Sequence, residues 1–491
     1  MDLRNVFRVP EGSGIAAFAA AQVHLFRHNA NLQDYFLALQ LSSAGLSKVN
    51  VPPRSLARRV LGMAEATGYK VIRQFDRRKY KVDVLYCPAP YYARRTENNV
   101  SVRTLMALAE TDATVLCLLP HNAPFRAEVE AKLQAAGRSR QVTLLDPWAA
   151  LNSLARKWLT RVSRIRGYAA FNEIVEVLRP HGLAPPLDSR PAYAYTASFV
   201  EAWNCIAPRI EFDAAVTRCH WFDLCSPVCR TAHQRGKPVI TFQQGVIGHS
   251  LDVPVTASKY VAFGHSSAAL LARMNRSFFQ AVGKDAPAVE FVPGGSLFDT
   301  VLNLPEQFSK QTLLVIDEPL GPGDYYGIGS QREAILHLAE QLLNSATSPR
   351  VIIRPHPHWD SLGLDTWKEI VRRHPNHCEI SHATWTLEDD LSRSSAVVGI
   401  FSGALTVAAA SGLPTFFIET GQGYATEDLA CFRDGQILPP DDAFREIRRV
   451  LSDAGAYTEA REVALRNARQ YYANGANLDL SAAFFERLLR I

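Results

Sequence analysis

The sequence has little excess of either charge and no long apolar run. Its 491 residues carry 53 basic and 48 acidic side chains, for a net charge of +5. So small an excess, without a concentrated basic patch, argues against a nucleic-acid binder. No stretch reaches the roughly 18 to 20 apolar residues that a membrane span needs, and the first residues lack the pattern of a secretory signal. We therefore expect a cytoplasmic protein that does not bind nucleic acid.

Paired cysteine spacings are also missing. The eight cysteines are scattered along the chain, which suits a reducing compartment better than a disulfide framework. The cluster formed by Cys219, Cys225 and Cys229 leaves two interpretations open. These residues are either metal ligands or buried free thiols that pack as small apolar side chains. Because the sequence contains neither a C-x-x-C pair nor an Asp-x-Asp motif, we expect no obligatory metal and no other cofactor.

What the sequence does contain is a steady alternation of short apolar runs and amphipathic stretches. Continuous apolar runs of this length are typical of parallel strands that are covered on both faces. The first series lies at 82–90, 114–121, 141–147, 214–220, 238–245, 260–264 and 288–295, and the second at 312–319, 350–357, 396–401, 414–419 and 435–439. Strand and helix patterns in alternation indicate doubly wound parallel sheets.

Two such series in one chain of this length predict two domains. The polar, proline-bearing stretch near residues 303–310 separates the series. We therefore predict an α/β protein with two Rossmann-like domains whose sheets face a cleft. The first spans 1–304 and the second 305–491, and the C-terminal helix is expected to cross back to the first domain.

A motif after the strand at 350–357 predicts a phosphate site. Arg354 and His356 stand at the strand end, and Pro355 and Pro357 restrict the backbone around the histidine. Guanidinium and imidazole N–H groups both donate well to phosphate oxygens. The alternative is a stiff surface turn with a solvated histidine.

A second motif follows the next predicted strand. Ser402 is placed to cap a helix, and Gly403 would let an anion approach the backbone. The first N–H groups of a helix, together with its dipole, attract anions. The alternative interpretation is that Ser402 is only a helix cap.

Polar residues end two further strands. Asp317 and Glu318 follow the strand that begins the second series, and Asp317 is a candidate general base for an acceptor hydroxyl. The alternative is that Asp317 begins a turn. Gln243 and Gly245 follow the strand at 238–245, where they either bind substrate or form a tight turn.

The order of these segments resembles the bacterial GT-B glycosyltransferases of surface-polysaccharide biosynthesis. That group includes the bacterial sialyltransferases, the capsule Kdo transferases and, more distantly, the teichoic-acid glycerophosphotransferases. R-P-H-P resembles their histidine–proline motif, F-S-G their serine motif and D-E-P-L-G their acidic motif. The resemblance covers about residues 205–440. It implies that Asp317 and His356 are catalytic, and that the donor is bound by Arg354, Ser402, Gly403, Gln243, Gly245, Gly295 and Glu318.

The resemblance also implies an activity. The expected enzyme moves a sugar from a nucleotide-sugar donor, most simply a CMP-activated sialic acid or Kdo, to a glycan or lipid-linked glycan acceptor of a capsule or lipopolysaccharide. It needs no metal. One alternative is a polyol-phosphate transferase that uses a CDP-glycerol-type donor. Another is a non-catalytic GT-B protein that binds glycans.

A basic amphipathic stretch bears on partners. Leu151, Trp158 and Ile165 fall on one helical face, and Arg161 and Arg164 lie among the basic residues of the rest. Such a helix either lies on an anionic lipid surface, which would make the protein peripheral on the inner membrane, or packs on the N-terminal core with a solvated basic face.

Overall fold

The computed structural model of the chain describes most of its second half and separate segments of its first half. The described residues are 23, 79–88, 100–119, 126–147, 153–179, 200–220, 225–247, 252–297, 301–317, 329–345, 348–355, 361–382, 385–420, 427–473 and 480–490.

Within the described residues, the first domain is built on a sheet of seven strands in the order β3-β2-β1-β4-β5-β6-β7. Every strand pair in it is parallel, and Val84 of the central strand has Val115 and Ala214 as its neighbours. The strands are β1 Tyr80–Cys87, β2 Val115–Leu118, β3 Val142–Leu145, β4 Ile210–Thr217, β5 Val239–Phe242, β6 Lys259–Ala262 and β7 Glu290–Pro293.

The second domain is built on a sheet of six strands in the order β10-β9-β8-β11-β12-β13, again with parallel pairs only. Its strands are β8 Thr312–Ile316, β9 Arg350–Arg354, β10 Cys378–Ile380, β11 Ala396–Gly399, β12 Thr415–Ile418 and β13 Ile437–Leu438. Two parallel, doubly wound sheets are the arrangement predicted for a GT-B protein, so the predicted fold class is confirmed.

Helices connect the strands and cover both sheets. They are α1 Val100–Glu110, α2 Arg126–Ala135, α3 Ser153–Leu178, α4 Cys225–Gln234, α5 His265–Val282, α6 Gly329–Leu343, α7 Ser361–Arg373, α8 Leu387–Ser392, α9 Gly403–Ala410, α10 Pro440–Ser452, α11 Ala454–Tyr471 and α12 Ala482–Leu489. Within the described chain, no helix is both long and apolar enough to cross a membrane.

The apolar runs are continuous because each central strand is buried on both faces. In β8, Leu313 and Val315 pack into the core on one side of the sheet. Leu314 and Ile316 pack into the core on the other side. Side chains alternate between the faces of a strand, so a strand between two helix layers has no solvent-facing position for a polar residue.

Two described segments connect the domains. After β7 the chain enters the segment 301–307, which is held on the second domain by bonds from Leu302 N–H to Ser411 Oγ (3.0 Å) and from Arg461 to Leu304 O (3.3 Å). At the other end, Phe484 and Phe485 of α12 belong to the same apolar core as α1 and β2 of the first domain. The exact boundary at 304/305 stays a prediction.

All eight cysteines are free thiols, and six of them are buried. Cys225 Sγ lies 3.7 Å from Cys87 Sγ, and Cys219 and Cys229 are packed in the same core. Among the described residues, no group of three or more His, Cys, Asp or Glu side chains could hold a metal ion. These contacts favour the interpretation of the cluster as buried thiols.

Thiol titration of the folded protein should therefore label few cysteines. Only Cys205 and Cys431 are partly exposed, and burial raises the pKa of Cys431 to about 12. Because the thiolate is the reactive form, a reagent such as DTNB at pH 8 should label Cys205 first, Cys431 slowly, and the other six only after unfolding. Cys205→Ser should remove the fast phase. Rapid labelling of three or more thiols in the folded protein would contradict this packing.

Candidate functional site

The strand order of the second domain identifies a crevice. The strands β8, β9 and β10 run outward to one side, and β11, β12 and β13 run outward to the other, so the order reverses between β8 and β11. In open α/β sheets, ligands bind outside the carboxyl ends of the strands at such a reversal. Asp317 directly follows β8, and Ser402 and Gly403 lie between β11 and the body of α9. The fold thus places these predicted residues at the expected ligand position.

Ser402 caps α9, as the sequence predicts. Its backbone is extended (φ −151°, ψ 145°), and its Oγ accepts a hydrogen bond from Ala404 N–H at 3.4 Å. The first N–H groups of a helix have no carbonyl partner within that helix, and they coincide with the positive end of its dipole. A Cβ added at Gly403 would meet no atom within 4 Å, so this side of the helix start is not packed against the described residues. The start of α9 therefore has the geometry of an anion site.

This helix start lies at the interface with the first domain. Thr406, in the first turn of α9, shares a 2.5 Å hydrogen bond with the hydroxyl of Tyr472. The ring centroid of Tyr472 is 5.5 Å from that of Phe263, which directly follows β6 of the first sheet. The N–H of Phe263 in turn donates to Gln243 Oε1 at 2.7 Å. A continuous series of contacts thus joins α9 to the carboxyl edge of the first sheet.

The side chain of Gln243 bonds to the backbone at the edge of the first sheet. Its side chain is 1% exposed, and besides accepting from Phe263 it donates from Nε2 to Gly245 O at 2.8 Å. These bonds hold the ends of β5 and β6 together, which favours a structural role over the predicted contact with the donor. Gly245 has open space where a Cβ would lie. Gly295 is buried with φ at +96°, a conformation that favours glycine, and it forms the turn after β7.

Asp317 is enclosed by protein groups. It is 1% exposed, and its two oxygens accept from Arg332 Nε at 3.2 Å and Arg332 Nη2 at 3.3 Å. Trp367 Nε1 donates to the same carboxylate. A base must reach the acceptor proton within hydrogen-bonding distance, whereas these contacts turn the carboxylate towards α6 and α7. They favour a structural role, and the role of Asp317 as general base stays a prediction.

Arg354 is also engaged with its own domain. Its Nη1 donates to Thr386 O at 3.1 Å and to the carboxylate of Asp390, which is fully buried and also accepts from Ser381 Oγ at 2.7 Å. Arg354 thereby fixes the start of α8 against β9, and a contact with phosphate stays a prediction. The two remaining predicted residues, His356 and Glu318, lie outside the described residues.

Sequence analysis did not identify Asp428 or Tyr472 as residues of this interface. Asp428 is 1% exposed, and burial raises its pKa to about 6 against the opposing effect of three hydrogen bonds. Two of its partners lie 161 and 181 positions away in the chain, so no local pattern signals them. The only sequence feature that could have indicated this interface is the adjacent pair Tyr471 and Tyr472, near the end of the C-terminal helical pattern.

Comparison with known proteins gave fold similarities only. No protein-family model matches the chain, and no curated protein sequence does. An alpha,alpha-trehalose-phosphate synthase (UDP-forming) from Burkholderia vietnamiensis is similar with a TM-score of 0.49 at 12% identity, covering 84% of this chain and 97% of that one.

Two further structures are similar over comparable lengths. A TarM mutant from S. aureus, in complex with fondaparinux, alpha-GlcNAc-glycerol and UDP, has a TM-score of 0.48 at 9% identity and covers 83% of this chain and 100% of that one. The UDP-GlcNAc 2-epimerase from Neisseria meningitidis bound to UDP-GlcNAc has a TM-score of 0.47 at 11% identity, with 84% and 100% covered. Values this low do not identify an activity, so the function is argued from the site.

Proposed function

We propose that this chain is a metal-independent GT-B glycosyltransferase that moves a sugar from a nucleotide donor to a glycan or lipid-linked glycan. The donor phosphate binds at the start of α9. In this proposal residues 1–304 bind the acceptor and residues 305–491 bind the donor. The donor is a CMP-activated acidic sugar, sialic acid or Kdo, and the acceptor belongs to a capsule or lipopolysaccharide.

The observation that carries the proposal is the position of α9. Its first N–H groups stand at the reversal of strand order in the second sheet. Its first turn is linked to the first domain through Tyr472, which bonds to Thr406 and packs against Phe263. A departing nucleotide phosphate needs fixed donors or dipoles where its negative charge develops, and a helix start provides both. An acceptor bound by the first domain would lie across the same interface.

Other residues have narrower parts in the proposal. Arg354 ends β9, one strand from the reversal. His356 lies two positions later in the sequence, outside the described residues, and it is proposed from the sequence motif alone as a second donor to the phosphate. Gly245, with open space beside it, is a candidate for close contact with substrate. The general base is left unassigned, because the contacts of Asp317 favour a structural role.

Peripheral contact with an anionic membrane belongs to the same proposal. Ile165 is 63% exposed and Tyr168 is 39% exposed on α3, and Arg161 on the same helix is exposed as well. Exposed apolar side chains next to basic ones suit the interface of an anionic bilayer, where a lipid-linked acceptor would be held.

A nucleotide panel tests the proposed function. The melting temperature is measured with CMP, CDP, UDP and GDP, because a ligand at a hundred times its dissociation constant stabilises the folded state by about 2.7 kcal/mol. We expect CMP to give the largest rise, and CMP to be released from a CMP-sugar when acceptor is added. Turnover of CDP-glycerol instead would select the polyol-phosphate transferase. If no nucleotide raises the melting temperature, the proposed function is wrong.

Ser402→Ala should weaken nucleotide binding only a few-fold, because the helix N–H groups remain in place. Losing the cap should also lower the free energy of unfolding by about 0.5 to 2 kcal/mol. Ser481→Ala is the matched control, since Ser481 caps α12 in the same way through a bond from Phe484 N–H at 3.2 Å. It should lower stability without changing affinity. If both variants lose stability and neither loses affinity by calorimetric titration, Ser402 is only a cap.

A further inference from the structure

A buried carboxylate lies at the junction of the two domains. Asp428 belongs to a short 3-10 helix, Glu427–Arg433, between β12 and β13 of the second sheet. It is 1% exposed. Burying a carboxylate is unfavourable unless hydrogen bonds replace its water, so the partners of this side chain indicate what it does.

The partners of Asp428 come from three separate parts of the fold. Its Oδ2 accepts the N–H of Ile247, in the segment after β5, at 2.8 Å, and the hydroxyl of Tyr471, at the end of α11, at 2.7 Å. Its Oδ1 accepts the hydroxyl of Ser267, in the first turn of α5, at 2.5 Å. Ile247 and Ser267 belong to the first domain. One carboxylate therefore bonds to two elements of the opposite domain and to the helix that precedes Tyr472.

The backbone segments that carry these partners are packed closely against one another. A Cβ added at Gly264, just before α5, would lie 2.0 Å from Tyr471 O. Close by, Ala473 N–H donates to Phe263 O at 2.8 Å. The end of α11 thus rests directly on the start of α5, with Asp428 bonded to both. A change in the relative placement of the domains would break several of these contacts together.

We infer that Asp428 is a positioning residue that holds the second domain in a fixed placement against the first. Without its carboxylate, the N–H of Ile247 and the hydroxyls of Ser267 and Tyr471 would lose these bonds in a buried interface, which is unfavourable, and the domains would separate enough to admit water. The same bonds hold Tyr471 and hence Tyr472, which contacts α9. The width of the cleft beside α9 therefore depends on Asp428. Its importance for sugar transfer rests on the proposed function, whereas its role in domain placement does not.

The test compares two substitutions at this position. In Asp428→Asn, the amide oxygen can accept from Ile247 and Tyr471 while the amide N–H₂ donates to Ser267 Oγ, because a hydroxyl also accepts. Asp428→Ala removes all three bonds. The readouts are hydrogen exchange in the peptide that contains Ile247 and small-angle X-ray scattering of the whole protein.

Asp428→Ala should accelerate exchange at Ile247 by about tenfold or more, since a hydrogen bond to a charged group is lost, and should increase the radius of gyration. In Asp428→Asn, the exchange rate at Ile247 and the radius of gyration should both be close to the wild-type values. Glu427→Gln is the matched control. It removes the neighbouring ion pair with Arg273 of α5, whose side chains are 30% and 56% exposed. An ion pair this accessible to water contributes little, so both readouts should stay near wild type.

Ser267→Ala provides the second variant if Asp428→Ala does not fold. It removes the bond between Ser267 and Asp428. Exchange at Ile247 should become faster and the radius of gyration larger, both by less than in Asp428→Ala. The inference is overturned if a folded Asp428→Ala, or failing that Ser267→Ala, shows wild-type exchange at Ile247 and a wild-type radius of gyration. A wild-type protein that binds no nucleotide would defeat the proposed function while leaving these measurements decisive for Asp428.

Discussion

Arg332→Ala should lower the free energy of unfolding of the second domain by roughly 3 to 5 kcal/mol, because it leaves a carboxylate buried without its cation. Arg332 and Asp317 form a two-bond ion pair at 3.2 and 3.3 Å, and their side chains are only 6% and 1% exposed. Trp367, which also bonds to Asp317, is fully buried beneath the pair. Urea unfolding followed by tryptophan fluorescence measures the change.

A double substitution is the control for this pair. Asp317→Leu with Arg332→Met removes both charges and keeps apolar volume, so it should be less destabilising than Arg332→Ala alone. If instead Arg332→Ala leaves stability unchanged, and Asp317→Asn abolishes transfer without affecting unfolding, then Asp317 is the base that the sequence motif implies. The structural role argued from its contacts would then be wrong.

The fold was predictable from the sequence because burial on both faces leaves a continuous apolar run. All five side chains of β8, T-L-L-V-I, are buried, and each predicted run overlaps a strand of one of the sheets, although β4 begins four residues before its run. The strand β10 was missed. It has three residues, C-E-I, of which only Cys378 is fully buried. The charged glutamate in its middle interrupts the apolar run, so no continuous apolar stretch marks this strand.

The positions of site residues were more predictable than their contacts. Asp317, Gln243 and Ser402 all stand at the carboxyl ends of strands, as the sequence indicates, because a strand end fixes where a residue lies in a parallel sheet. It does not fix which way the side chain turns. Asp317 meets Arg332 and Trp367 from two later helices. Gln243 meets the backbone of the neighbouring strand end. The residues next to Asp317 and Gln243 in the sequence do not indicate these partners.

Long-range packing explains why Asp428 escaped the sequence analysis. Its partners come from both domains, and the segment that carries it has neither the period of a helix nor that of a strand. The C-terminal helical pattern was recognised, but the way it brings Tyr471 to the interface depends on the relative placement of the two sheets. Such placement is a property of tertiary packing and has no local pattern.

The most direct test of the phosphate site at α9 is nucleotide affinity after Gly403→Asp. A Cβ fits at this position without contact, and a negative charge in the first turn of a helix is stabilising, so the variant should fold with an unchanged or higher melting temperature. Its carboxylate would lie about 5 Å from a bound phosphate. At an effective dielectric constant of about 20 that repulsion is about 3 kcal/mol, and salt screening reduces it, so affinity should fall by about tenfold to a hundredfold.

Gly403→Asn is the control for this measurement, because it adds a side chain of the same shape without the charge. Isothermal titration with the nucleotide that binds wild type best should show Gly403→Asn within a few-fold of wild type and Gly403→Asp at least about tenfold weaker. The loss should shrink at high salt, since partly exposed charges are screened. Equal affinity of the aspartate and asparagine variants, in proteins of equal stability, would contradict a phosphate at the start of α9.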